Sequence, residues 1–170
     1  MAKDSPAPQV STTEFEKGRG ISRVEVRSGY AQVHISDLVE PLTQSRLSVL
    51  ENAATAGISL DFLKFTPDGM SFLVREEDAA PLVEALTKGE AKLSSAQINA
   101  KQGRDVVMVH AVNMRDEEGL IASIVLQAIR SGAEIGHVSD MHDRVLIVVA
   151  KEDSSRLKDQ LEGNLIKVRA

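Results

Sequence analysis

The second half of this chain repeats the first half at a nearly constant spacing, and this repeat constrains the fold more than any single motif. A shift of 75 residues aligns residues 74–78 with residues 149–153 and pairs Leu82 with Leu157. Further upstream the shift is 76, so the first copy has one additional residue between its first strand and its first helix. Because a repeat of this kind indicates one structural unit built twice, we expect two copies of one small fold.

Each copy has the order strand, helix, strand, strand, helix, strand. In the second copy, residues 106–112 form a β-branched run, and residues 121–129 have helical spacing with Asp116 as the expected N-cap. Two strands follow at residues 133–139 and 144–150, on either side of a turn. This order predicts an α+β fold class, with two ferredoxin-like βαββαβ units whose antiparallel sheets carry both helices on one face.

The first copy is predicted in the same way. Its elements are strands near residues 31–36, 58–65, 70–75 and 91–99, and helices near residues 43–56 and 77–88. The predicted domains are a flexible N-terminal arm at residues 1–20, a first unit at residues 21–100 and a second unit at residues 101–170.

Three segments are candidates for the two closing strands of these units. Residues 21–26 form a surplus strand, in addition to the segments at residues 91–99 and 165–168. An exchange of terminal strands between the units is therefore left open. Both faces of residues 106–112 are apolar, so we expect the face without helices to meet another sheet.

Composition excludes several functions. A net charge of −5 and a pI near 5.4 argue against a nucleic-acid partner, and a chain with one Tyr and no Trp has few rings for stacking on bases. The absence of cysteine excludes thiolate metal sites and cysteine nucleophiles. No apolar run is long enough to span a membrane. We expect a cytoplasmic protein that needs no cofactor and does not interact with a membrane.

Four stretches of the sequence carry a resemblance to a known family. They read ISRVEVRSGYAQVHI, AGISLDFL, NMRDEEGLIASI and VSDMHDRVLIVVAKED. Together they resemble tandem ACT domains, and more narrowly the regulatory region, or small subunit, of aspartate kinases without the kinase domain. The resemblance covers roughly residues 21 to 165.

The chain departs from the family pattern mainly in the first unit. Pro41 stands where the family has an effector-binding Asp, Gln44 stands in place of a Gly, and Phe65 stands near a family Gln that also contacts effector. Asp61 is retained. In the second unit Asn113 replaces the Gly of a Gly-Met pair.

The start of a helix after such a loop favours the carboxylate of an amino acid, because its N–H groups are unpaired and its dipole end is positive. The candidate effector-binding residues, some of them assigned through the resemblance, are Ser36, Asp37, Glu40, Gln44 and Asp61 in the first unit and Asn113, Met114, Arg115, Asp116, Gly119 and Ser139 in the second. The simpler alternative is that the acidic side chains only cap and charge the first helical turn.

No phosphate-binding Gly-x-x-x-x-Gly-Lys loop and no nucleophile elbow is present, so we expect no catalysis. The resemblance implies a regulatory module that binds lysine, threonine or a similar effector between ACT units, as a homodimer or with an aspartate-kinase catalytic chain. The alternative is an interaction module that dimerises or docks on a partner enzyme without binding an effector.

Overall fold

The computed structural model describes residues 20–88, 93, 95–112, 114 and 118–163. In these ranges the elements are β1 (Gly20–Ser36), α1 (Leu42–Thr55), β2 (Asp61–Thr66), β3 (Gly69–Arg75), α2 (Glu76–Lys88), β4 (Gln97–Val112), α3 (Leu120–Arg130), β5 (Ile135–Asp140), β6 (Arg144–Ala150) and α4 (Lys151–Glu162). The predicted arm, apart from Gly20, and the predicted strand at residues 165–168 lie outside the described residues.

The described strands form one antiparallel sheet in the order β2-β3-β1-β4-β6-β5. The two long strands β1 and β4 lie side by side in the centre of the sheet, and each of them contributes one segment to each half of it. We call β2, β3, residues 30–36 of β1 and residues 97–101 of β4 the first half-sheet. The second half-sheet consists of residues 20–27 of β1, residues 104–112 of β4, β6 and β5. The predicted α+β class with two ferredoxin-like units is confirmed.

The position of the closing strands is visible in the register. Val24 lies opposite Val109 and Val26 lies opposite Val107, so the predicted surplus strand completes the second half-sheet. Ile35 lies opposite Ile98, so the segment before the second unit completes the first half-sheet. The fourth strand of each half-sheet is thus the chain segment that directly precedes a strand of the other half-sheet. Residues 20–27 precede residues 30–36, and residues 97–101 precede residues 104–112.

A bend in both long strands separates the two half-sheets. The β1–β4 register shifts twice between Arg27 and Gln32, and Gly29 and Gly103 have φ angles of +85° and +66° in these irregular segments. Glycine adopts such left-handed angles without strain, because it has no Cβ. The sequence predicted one strand before and a separate strand after each of these glycines, but the chain passes through each glycine as one bent strand.

Two apolar cores lie beneath the helices. The first half-sheet packs against α1 and α2, with Val33, Val49, Phe72, Leu82 and Leu86 all within 1% of complete burial. The second half-sheet packs in the same way against α3 and α4; its buried residues include Val107, Ile124, Ile147, Leu157 and Leu161. Within the described ranges, no helix has the length and apolar character that crossing a bilayer requires.

A third apolar cluster joins the helix-free faces of the two half-sheets, and we call it the seam. Its buried members are Tyr30, Leu73, Val106, Met108, Leu146 and Val148, with Phe62 partly buried against them. A hydrogen bond also crosses between the half-sheets, from Gln32 Nε2 to the carbonyl of Gly136 at 3.2 Å. The uncovered face of residues 106–112 therefore meets the other half of the same bent sheet, where the sequence predicted a separate sheet.

Candidate functional site

The loop between β1 and α1 in the first unit is held against the neighbouring hairpin. The Leu38 N–H donates to the carbonyl of Asp68 at 3.0 Å, and the Leu38 side chain is buried in the first core. Asp37 has a φ of +56°, and its side chain is exposed. Ser36 is half-buried at the end of β1. The loop therefore has a fixed backbone that leaves the Asp37 carboxylate in solvent.

The start of α1 already carries a carboxylate of the same chain. Glu40 Oε2 accepts a hydrogen bond from the Leu42 N–H at 2.9 Å, at the positive end of the helix. The Ser45 hydroxyl donates to the carbonyl of Val39 at 2.7 Å and closes the first turn. Gln44 is exposed beside this turn. A ligand carboxylate at this helix end would have to displace Glu40.

Asp61 lies apart from that loop. It is the first residue of β2 and lies opposite Leu73, whereas the loop lies at the other end of the half-sheet, where Met70 faces Ile35. These two positions are three residues apart on β3, or about 10 Å. The structure therefore places Ser36, Asp37, Glu40 and Gln44 along the loop and the first turn of α1, and it leaves Asp61 exposed at the far end of an edge strand.

In the second unit, Asn113, Arg115 and Asp116 lie outside the described residues. Met114 is 4% exposed and belongs to the second core, so its side chain faces the protein interior. Gly119 occupies the N-cap position of α3 with a φ of +78°, and among the described residues no side chain caps this helix by a hydrogen bond. The predicted N-cap, Asp116, is therefore wrong, since the helix begins at Leu120.

The two helix starts consequently differ. The α1 end is occupied by Glu40, whereas the α3 end begins at an exposed glycine and has no acidic residue in its first turn. Ser139 is half-buried on the edge strand β5, close to the hairpin that lies at the same end of the second half-sheet as Gly119. The described residues thus leave the anion-binding capacity of a helix N-terminus open in the second unit.

Charged groups are also concentrated where the two half-sheets meet. Glu134 binds Lys101 and accepts a hydrogen bond from Arg104 Nη2 at 2.6 Å. Hydrogen bonds from Lys101 and then Arg104 lower the pKa of Glu134 to about 2. Burial, followed by the charge of Lys64, lowers the pKa of His137. Among the described residues, no group of His, Asp and Glu side chains is arranged to hold a metal ion.

A pocket that was not predicted from the sequence lies between α1 and the edge strand β2. It has a volume of about 250 Å³ and is lined by Thr43, Arg46, Leu47, Leu50 and Phe65. The Arg46 guanidinium lies 5.0 Å from the centre of the Phe65 ring. Because Arg46 also donates to the carbonyls of Thr66 and Gly69, its charge is fixed in the wall. The sequence feature that belongs to this pocket is the apolar Phe65. It indicates an exposed pocket only once the fold places its strand, β2, at the edge of the sheet.

Comparisons with family models and with characterised protein sequences give no match. Solved structures, in contrast, share the fold. The regulatory subunit of aspartate kinase from Thermus thermophilus has a TM-score of 0.71 at 18% identity, over 85% of this chain and 97% of that one. A structure of the aspartokinase alpha and beta subunits gives 0.73 at 17% identity, over 85% and 97%.

A longer enzyme contains the same fold as one part. Aspartokinase III from E. coli, in complex with lysine and aspartate, gives a TM-score of 0.66 at 12% identity, over 89% of this chain and 34% of the enzyme. Identities this low establish the fold and leave function to be argued from the site. The chain has the fold of aspartate-kinase regulatory regions, and the predicted resemblance is confirmed at that level.

Proposed function

We propose that this protein is a non-catalytic regulatory module that binds an amino acid or a similar small effector between its ACT-like units. The observation that carries the proposal is the fold shared with separately made regulatory subunits over 85% of the chain. The start of α3 at the exposed Gly119 supports it, since backbone N–H groups at a helix start suit a carboxylate. Lysine and threonine are the first candidates, through the resemblance, and we place the role in the cytoplasm.

Calorimetric titration of the full chain against each of the twenty amino acids tests this proposal. We expect saturable heat for at least one of them. A Gly119→Ala variant should bind that amino acid about tenfold more weakly, because a Cβ at this φ strains the start of α3. Gly57→Ala is the matched control, since Gly57 also has a left-handed φ of +70° with open space around it but follows α1. Absence of binding up to about millimolar concentration would rule out the sensing role.

The second candidate is an interaction module, and the pocket between α1 and β2 favours it. Leu47, Leu63 and Phe65 are 52%, 44% and 55% exposed around this edge. Apolar side chains grouped in this way are typical of a surface that another protein covers. The partner would be a second copy of this chain or an aspartate-kinase catalytic chain.

Sedimentation and co-purification distinguish these partners. We expect Leu47→Glu to reduce self-association or the capture of a kinase chain, because the charge would be buried in the contact. Ala80→Glu on the exposed face of α2 is the control. A wild-type chain that is monomeric and captures no kinase chain would contradict this second function.

A further inference from the structure

Phe62 has a backbone conformation that an aromatic residue rarely adopts. Its φ angle is +53°, in the left-handed region. Crowding at Cβ disfavours this region for every residue except glycine, and a bulky side chain is an outlier there. Asp37 has a similar angle, but a short polar side chain tolerates it. The surrounding structure must therefore hold Phe62 in place.

A β-bulge in the edge strand β2 accounts for this conformation. The β2–β3 register shifts between Asp61 and Lys64, so that two residues of β2 face one residue of β3. A bulge changes the direction in which a side chain points. Here the Phe62 ring packs against the seam, while the next residue, Leu63, is 44% exposed.

Two opposing effects meet at Phe62. Burial of the ring between the half-sheets favours the closed seam, whereas the left-handed backbone favours release of the bulge. Movement of β2 disturbs few hydrogen bonds, because this strand pairs with β3 alone among the described strands. The bulge thus combines a favourable burial of the ring with an unfavourable backbone conformation.

We propose that the Phe62 bulge is a latch that holds the two half-sheets together and can release them. With the ring in the seam, the helix-free faces pack on each other and Gln32 bonds to Gly136 across them. With the ring withdrawn, the backbone relaxes, and the bends at Gly29 and Gly103 allow the half-sheets to separate. This device does not depend on which effector, if any, the protein binds.

The fluorescence of Tyr30 can report whether the seam is closed. Tyr30 is the single tyrosine, and there is no tryptophan. Its side chain is 4% exposed within the seam, and the Arg75 guanidinium lies 4.7 Å from the ring centre. Tyrosine emission of the whole protein therefore comes from one residue, and its quenching by acrylamide measures access to the seam.

The test compares two phenylalanines of the same strand. In Phe62→Ala the quenching constant of Tyr30 should rise about twofold or more, because the ring that closes the seam is lost. In Phe65→Ala it should stay at the wild-type value, since Phe65 lies beside α1 on the other face. Equal quenching constants in the two folded variants would overturn the latch.

If Phe62→Ala does not fold, amide hydrogen exchange of the wild-type chain tests the proposed latch. A latch predicts that amides of β2 and β5 exchange through a shared opening, faster than those of β1 and β6. The same protection in all four strands would overturn the proposal.

Discussion

Asp105 is a buried carboxylate in the middle of β4, and it depends on one side chain of α4. It is 2% exposed, and the Ser154 hydroxyl donates to its Oδ2 at 2.7 Å. Its Oδ1 has no hydrogen-bond partner within the described part of the chain. Because a buried polar atom without a partner is costly, the remaining hydrogen bond matters for stability.

Ser154→Ala should therefore lower the free energy of unfolding by about 1–3 kcal/mol. Urea denaturation at neutral pH measures this loss. Ser155→Ala is the matched control, since Ser155 is the next residue of the same helix and is exposed. Equal stability of the two variants would contradict the importance of the buried bond.

His137 should make the stability of the fold depend on pH. Burial and the charge of Lys64 lower its pKa in the folded chain below the ordinary value of 6.5. The unfolded chain then binds the proton more strongly, so the contribution to stability is complete above pH 6.5 and is lost as the pH falls through the folded pKa. His137→Gln should flatten the fall in unfolding free energy between about pH 7 and pH 5, as measured by urea denaturation at several pH values. A slope changed equally by His142→Gln, on the exposed hairpin, would contradict this assignment.

At the scale of elements, the contact between β1 and the β2–β3 hairpin depends on Gly69. A Cβ at this position would lie 1.9 Å from the carbonyl oxygen of Ile35, and a backbone atom cannot move aside as a side chain can. Gly136 offers a comparison, because its Cβ would meet only the end of the Gln32 side chain, at 2.3 Å.

Gly69→Ala should consequently cost about 2–4 kcal/mol, and Gly136→Ala about 1 kcal/mol or less. Thermal and urea unfolding of the two variants provide the measurement. A Gly69→Ala variant as stable as Gly136→Ala would show that β1 and the hairpin can separate at little cost.

The elements themselves were largely predictable from the sequence. The strand at residues 144–150 was predicted at its observed bounds, and both helices of the first unit were predicted within one residue of theirs. Periodicity succeeds here because each element buries one face. It failed at the start of α3, where acidic residues resembled a cap but the helix begins after Gly119. It also could not show that Glu40 caps α1, because that contact depends on the path of the loop.

At the scale of the whole molecule, the fold class and the meeting of two sheet faces were predictable, but the strand pairing was not. The alternation of apolar and polar residues in a strand indicates which of its faces is buried, but it does not determine which strand lies beside it. The predicted strand at residues 21–26 therefore fitted several positions, and only the register assigns it to the second half-sheet. The Phe62 bulge also went unpredicted, since the neighbouring apolar residues Phe62 and Leu63 do not show by themselves that one of them is inserted.

This pairing predicts that the two halves differ when they are separated. A fragment of residues 28–103 contains all strands of the first half-sheet and should unfold cooperatively. A fragment of residues 101–170 lacks residues 20–27 and should not, unless a peptide of residues 20–28 is added. Circular dichroism during urea titration measures both. Cooperative unfolding of the second fragment alone would mean that residues 165–168 take the vacant position.

The strand at residues 20–27 also sets an order of events during synthesis. Val26 can pair only after Val107, about eighty residues later in the chain, has been synthesised. During synthesis this β-branched segment therefore leaves the ribosome before its partner and stays unpaired until residues 104–112 have followed. The first half-sheet can close earlier, while that leading segment remains open to chaperones or to a neighbouring nascent chain.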